Sequence, residues 1–121
     1  MSDGQRLRAL EELVHFRRPI EELSVIIRSL PWDSDGPTIE LTTEHVRRIL
    51  RSFLQNERTA DELEFWANCV ESREDIWTGP LIRYIVYKLA NPELEGTLTT
   101  DSATDFSQQL LAGGADLETT K

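Results

Sequence analysis

The chain is predicted to be all-α: two stacked αα-hairpins, then an apolar fifth helix and a short C-terminal helix. Three observations carry this expectation. Apolar residues recur at helical spacing through successive segments, as in Leu63, Trp66, Ala67 and Val70. Helix start signals precede those segments, the clearest being Thr59-x-x-Glu62, in which the Thr59 hydroxyl and the Glu62 carboxylate can each satisfy a free amide. An offset of 40 residues maps the first pair of segments on the second: Leu10 on Leu50, Leu13 on Phe53, Val14 on Leu54, Arg18 on Arg58, Glu22 on Glu62, Leu23 on Leu63 and Leu30 on Val70. Each copy is then an apolar helix, a short basic turn and an acid-started helix. Neither closes its apolar face alone, so the two bury a shared core. The alternative is a chance match between two amphipathic helix pairs.

Taken in order, Arg6 to Phe16 reads as the first helix, with Leu7, Leu10, Leu13 and Val14 on one face. Arg17 and Arg18 link it to a second helix that Pro19 opens at its first position and that stops before Pro31. Pro31 to Leu41 holds two prolines, one glycine and two aspartates and is expected to be irregular. Thr42 or Thr43 starts a third helix that runs to about Asn56 and buries Val46, Ile49, Leu50, Phe53 and Leu54. The fourth spans Thr59 to Asp75, with Asp61 and Glu62 at the positive end of its dipole and Glu71, Arg73, Glu74 and Asp75 in its last turn.

Trp77-Thr78-Gly79 breaks the chain before Pro80. Leu81 to Ala90 is apolar on most sides, which predicts a segment covered all round. Its β-branched content also admits a buried strand, though its length favours a helix. Asn91-Pro92 ends it. After a polar loop, Asp101 to Ala112 is expected to form the last helix, ended by Gly113 and Gly114. Residues 1–114 are thus one helical domain and residues 115–121 a flexible tail.

With 121 residues, 39% of them apolar and 29% charged, the chain is long enough for one modest core and has the make-up of a soluble protein. A single cysteine excludes an internal disulfide framework and a cysteine-rich zinc site. It points to a reducing compartment, and the cytoplasm is the expected location. Met1 to Arg8 has no apolar run of the signal-peptide kind, and no apolar stretch approaches the roughly 20 residues that a membrane span needs.

The net charge of −9 is unevenly spread. Residues 1–58 carry nine basic and ten acidic side chains, residues 59–121 four and twelve. A field of that sign repels phosphate backbones and disfavours general nucleic-acid binding. It speeds encounter with a basic protein, although acidic surface also serves solubility alone.

Chemistry-bearing patterns are sparse. Glu12-Leu13-Val14-His15 spells half of a di-iron motif, but His45 has no glutamate three residues before it, and His15 lies off the apolar stripe. A solvent-facing histidine is the expectation, with no metal and no cofactor. Cys69 has acidic neighbours that raise a thiol pKa and is expected to pack as a small apolar residue. Phosphate loops and nucleophile–base arrangements are not found, and no pair stands out among the carboxylates. Trp66 belongs to the core. Trp32 and Trp77 lie in loops close to Asp33 and Asp75, as binding-rim anchors do, although Trp32 can instead plug the hairpin junction.

One run of residues carries a resemblance: Leu30-Pro31-Trp32-Asp33, Leu41-Thr42, Phe53-Leu54, Glu62-Leu63, Trp66-Ala67-Asn68, Glu71-x-Arg73-Glu74-Asp75-Ile76 and Leu89-Ala90-Asn91-Pro92-Glu93. Over residues 10–100 the chain resembles a family of small, acidic, helical bacterial proteins. It is similar in character to the immunity proteins that accompany colicin-type and contact-dependent growth-inhibition toxins. Asn56 and Ser72 stand where glycines are expected in that family, which puts the turn geometry in question.

The resemblance implies a non-enzymatic protein that occludes the basic cleft of a nuclease-type toxin. Glu64, Glu71, Glu74 and Asp75 are then the candidate contacts, with Trp77 and Trp32 as anchors. A helical adaptor in which the acids only solvate is the alternative.

Overall fold

In a computed structural model the described residues are 3–30 and 38–119. They form an all-α fold: α1 (Asp3–His15), α2 (Ile20–Arg28), α3 (Thr43–Leu54), α4 (Ala60–Glu71), α5 (Pro80–Ala90), α6 (Pro92–Glu95) and α7 (Thr100–Thr119). Two short strands, β1 (Ile39–Glu40) and β2 (Ile76–Trp77), accompany them. Helices α1 to α4 form the paired hairpins, α5 packs along α4, and α7 packs along α3.

The caps explain where the helices begin. The amide of Glu62 donates to Thr59 Oγ1 at 3.2 Å, and the Thr59 amide donates to Glu62 Oε1 at 2.9 Å, closing the capping box. At the equivalent place in α3, the Thr42 amide donates to His45 Nδ1 at 3.0 Å while the His45 amide donates to Thr42 Oγ1 at 3.2 Å. An imidazole takes the part of the usual glutamate. Pro19 is the residue before α2, and Pro80 is the first residue of α5.

Both copies of the 40-residue offset share backbone geometry and, at several matched positions, burial, although Phe53 and Leu54 are only partly buried where Leu13 and Val14 are fully so. Phe16 and Asn56, 40 residues apart, end α1 and α3 with φ of +52° and +62°. In each copy the amide of that residue donates to the carbonyl three residues earlier, Leu13 or Phe53. Asn56 can adopt this left-handed turn because a short polar side chain tolerates it, so no glycine is needed there. Leu10 and Leu50, and Leu23 and Leu63, are fully buried. Arg58 holds the two turns together. Its Nη2 donates to the Phe16 carbonyl at 2.7 Å and to that of Arg18 at 3.2 Å, and its guanidinium lies 3.6 Å from the centroid of the Phe16 ring.

The strands bind the halves a second time. β1 and β2 run parallel, with Ile39 opposite Ile76 and Glu40 opposite Trp77. Ile39 donates to the Asp75 carbonyl and Leu41 to that of Trp77, both at 2.9 Å. Ile39 and Ile76 each stand three residues before the N-cap of the next helix, Thr42 and Gly79. The pairing therefore places α3 and α5 in matching relation to the sheet. In sequence these two-residue strands read only as an irregular stretch and a break.

Three expectations about helices are corrected. Helix α4 stops at Glu71, with Ser72 as C-cap, so Arg73, Glu74 and Asp75 lie in the connection to β2 and not in a last helical turn. Helix α5 buries Ile82, Ile85, Val86 and Leu89 but leaves Tyr84 and Tyr87 exposed, because only one side meets α4 and the core. The helical backbone of α7 runs on through Gly113 and Gly114 to Thr119 and does not turn left-handed at the glycine pair. Glycine lowers helix propensity by about 1 kcal/mol relative to alanine but keeps its amide in the ladder, so it permits a stop without imposing one. The polar loop after Asn91 contains the single turn α6.

Candidate functional site

The expected contact residues separate into three places. Glu71, Glu74 and Trp77 come together around a groove of about 470 Å3, where the end of α4, strand β2 and the start of α5 meet; Arg73 and Arg83 line it too. Trp77 follows Ile76 in β2, and strand alternation sends Ile76 to the core and Trp77 outward. Trp77 is 56% exposed, the largest aromatic surface among the described residues. Glu71 and Glu74 are exposed beside it, and partial desolvation pushes the Glu71 carboxyl above the usual glutamate value.

Glu64 is elsewhere. It lies with Asp61 on the first two turns of α4 and faces a separate cavity of about 210 Å3 that Lys88, Glu95, Asp105 and Phe106 also line. Trp32 falls outside the described residues.

Asp75 is a correction. Expected at an interface, it is only 3% exposed and lies inside the protein. Arg73 grips it with two parallel bonds, Nε to Oδ1 at 2.9 Å and Nη2 to Oδ2 at 2.7 Å, and Arg6 Nη1 reaches Oδ2 at 2.9 Å. Burial by itself would raise this carboxyl; the hydrogen bond and charge of Arg73, with the bond from Arg6, outweigh that and hold it below the usual aspartate value. Arg73 stands two residues from Asp75 in the charged run that is visible in the sequence. The second arginine, from the start of the chain, has no local signal.

No family model, curated protein or solved structure gives a significant match to the chain.

His15 is also placed differently from expectation. Its ring meets that of His45 edge-on, with centroids 4.6 Å apart and planes at 86°, and its Nε2 lies 3.5 Å from Glu11 Oε2. Because His45 Nδ1 accepts from the Thr42 amide, its proton sits on Nε2 in the neutral ring. Burial foremost, then the neighbouring His15, lowers the His45 pKa from 6.5. Glu12 turns away to pair with Arg18 at 3.3 Å. Among the described residues no group of three or more His, Cys, Asp or Glu side chains is placed to hold a metal ion. Cys69 is half-buried against the core, and that burial pushes its thiol up. Trp66 is fully buried and donates through Nε1 to the Leu13 carbonyl at 2.7 Å. None of the described helices is long and apolar enough to cross a membrane.

Proposed function

We propose that this chain is a non-enzymatic protein-binding module that docks a basic protein partner, and that it acts as an immunity protein occluding a nuclease-type toxin. The observation that carries the reading is Trp77, more than half exposed, on the rim of a groove it shares with the exposed carboxylates of Glu71 and Glu74. An exposed tryptophan beside a concave surface supplies the anchor that dominates interface energies, and the flanking acids orient a cationic partner before contact. The half of the chain from residue 59 onward, which holds this groove, also holds twelve of the 22 acidic side chains against four basic ones. Neutralisation needs no chemistry in this reading, since the acidic face covers the cleft that the toxin would otherwise offer to phosphates.

The test is a binding titration against the product of the adjacent reading frame, run from low to high salt. Affinity is expected to fall steeply with ionic strength, and Trp77→Ala combined with Glu71→Ala and Glu74→Ala to weaken the complex by orders of magnitude. Binding unaffected by both salt and the triple variant would overturn the proposal. Asp75 is left out of the variant set because its removal unbalances the interior.

A further inference from the structure

The last residue of α1 and the first turn of α3 meet through their imidazoles. His15 and His45 lie edge-on, with ring centroids 4.6 Å apart. His45 also closes the capping box of α3, its Nδ1 accepting from the Thr42 amide at 3.0 Å. The amide one residue earlier, that of Leu41, donates to the Trp77 carbonyl at 2.9 Å, and the Ile39 amide holds the Asp75 carbonyl in the same ladder. Two adjacent peptide groups thus join the imidazole to the strand that carries Trp77. Thr38, just before β1, lines the Trp77 groove as well, so both strand segments build its wall. Of the capping boxes of α3 and α4, the one that adjoins the strands is the one closed by a histidine.

We infer that the His15–His45 pair is a mild-acid switch that slackens the β1–β2 pairing and so loosens the docking groove at Trp77. For what the groove binds, the inference rests on the docking reading above; the switch itself belongs to the fold. Histidine is the side chain whose charge changes between about pH 5 and 8. A proton on His45 Nδ1 turns the acceptor of the Thr42 amide into a donor that faces it. Charge on both rings sets two cations side by side at the positive end of the α3 dipole. The charged groups acting on His45 are His15 and Glu11 from α1, Arg48 from α3 itself and Glu40 from β1; none of these stands on α4 or α7, which also pack against α3. Glu44, next to His45, is engaged by Arg47 and Arg48, and Arg17 and Arg48 line one groove with His15. Burial foremost, with His15 and Arg48, outweighs the pull of Glu11 and Glu40, so the closed cap resists a proton that the open one accepts more readily. Falling pH therefore favours the open cap.

The experiment follows amide exchange by NMR in the full chain labelled with 15N, at pH 7 and at pH 5, with each rate corrected for intrinsic exchange. Protection of the Ile39, Leu41 and Thr42 amides is expected to fall about tenfold in wild type, the change that one differentially bound proton supplies per pH unit. The Thr59 amide, held by the carboxylate of Glu62 in place of an imidazole, is the internal control and keeps its protection. His45→Gln retains a cap acceptor without a titrating ring and is expected to hold the strands at both pH values. His15→Gln removes the neighbouring charge and is expected to move the loss to higher pH. Equal protection at both pH values in wild type, the same loss in His45→Gln, or a loss shared by Thr59 would overturn the switch. The product of the adjacent reading frame is then titrated at the same two pH values. Its affinity is expected to weaken about tenfold at pH 5 for wild type and to hold for His45→Gln. Strands that loosen while affinity holds remove the control of the groove and leave the docking reading standing. A wild-type chain that captures no basic partner at pH 7 removes the docking reading, while the exchange rates still decide the switch.

Discussion

Arg6, in the first helix, donates to the Asp75 carboxylate at 2.9 Å across 69 positions of sequence, and both side chains are all but inaccessible to water. Arg73 holds the same carboxylate from two residues away, so the connection between α4 and β2 is tied to the start of the chain. A buried ion pair is weak evidence of net stabilisation, but breaking one strands a charge where water cannot reach it. Two arginines around one carboxylate make Asp75 the member whose loss costs most.

Asp75→Asn is therefore expected to destabilise the fold by about 3–5 kcal/mol, read from urea unfolding midpoints. The sign of the pH effect follows from the lowered folded-state pKa. The stabilising contribution is complete above the unfolded aspartate value near 3.8 and is lost as pH falls through the folded value. The wild type is expected to lose stability in that acid range more steeply than the variant. Equal slopes would refute the assignment.

His45 is expected to make the protein sensitive to milder acid. Its folded pKa lies below 6.5, so its contribution is present above that value and declines as pH falls beneath it, until the folded ring also takes a proton. Protonation of Nδ1 removes the acceptor for the Thr42 amide and adds charge at the positive end of α3. His45→Gln keeps a capping-box acceptor and does not titrate. Its stability is expected to change less than that of wild type between pH 7 and pH 5, checked by thermal unfolding and by imidazole proton resonances.

Arg58 joins the two hairpin turns through two carbonyls, an aromatic face and Glu62, whose Oε2 lies 3.2 Å from Nη1. Arg58→Ala is expected to cost about 2 kcal/mol, in the range for hydrogen bonds from charged groups. Arg58→Lys should recover little of that, since an ammonium cannot reproduce the planar fork. Full recovery by lysine would show that charge alone matters at this position.

Trp77 and Trp66 are expected to behave oppositely. Trp77→Ala leaves unfolding within about 0.5 kcal/mol of wild type, as exposed positions do, while weakening partner binding by about 2 kcal/mol or more. Trp66→Phe destabilises by about 1–3 kcal/mol, because the Leu13 carbonyl loses a buried donor. Equal effects of the two changes on stability would contradict the placement of Trp77 at the rim.

The helices were legible because their determinants are local. Thr59 and Glu62 sit three residues apart and find each other within one turn, and Leu63, Trp66, Ala67 and Val70 share a face by periodicity alone. The 40-residue offset was legible for the same reason, and it reached as far as the paired left-handed turns at Phe16 and Asn56. The candidate contacts were legible only in part. An acid in a charged run shows its charge in the sequence, whereas its direction depends on residues far away.

That dependence divides what the sequence by itself determined from what the tertiary structure decided. Composition and spacing settle an acidic chain of amphipathic helices with an uneven distribution of charge. Only folding separates Asp75 from Glu74, turning one toward Arg6 in the interior and leaving the other in water beside Trp77. The physical reason is distance along the chain. Helix caps and apolar faces arise from neighbours within about one turn, but the buried Asp75 carboxylate is satisfied by Arg73 beside it and also by Arg6, 69 positions away in the chain.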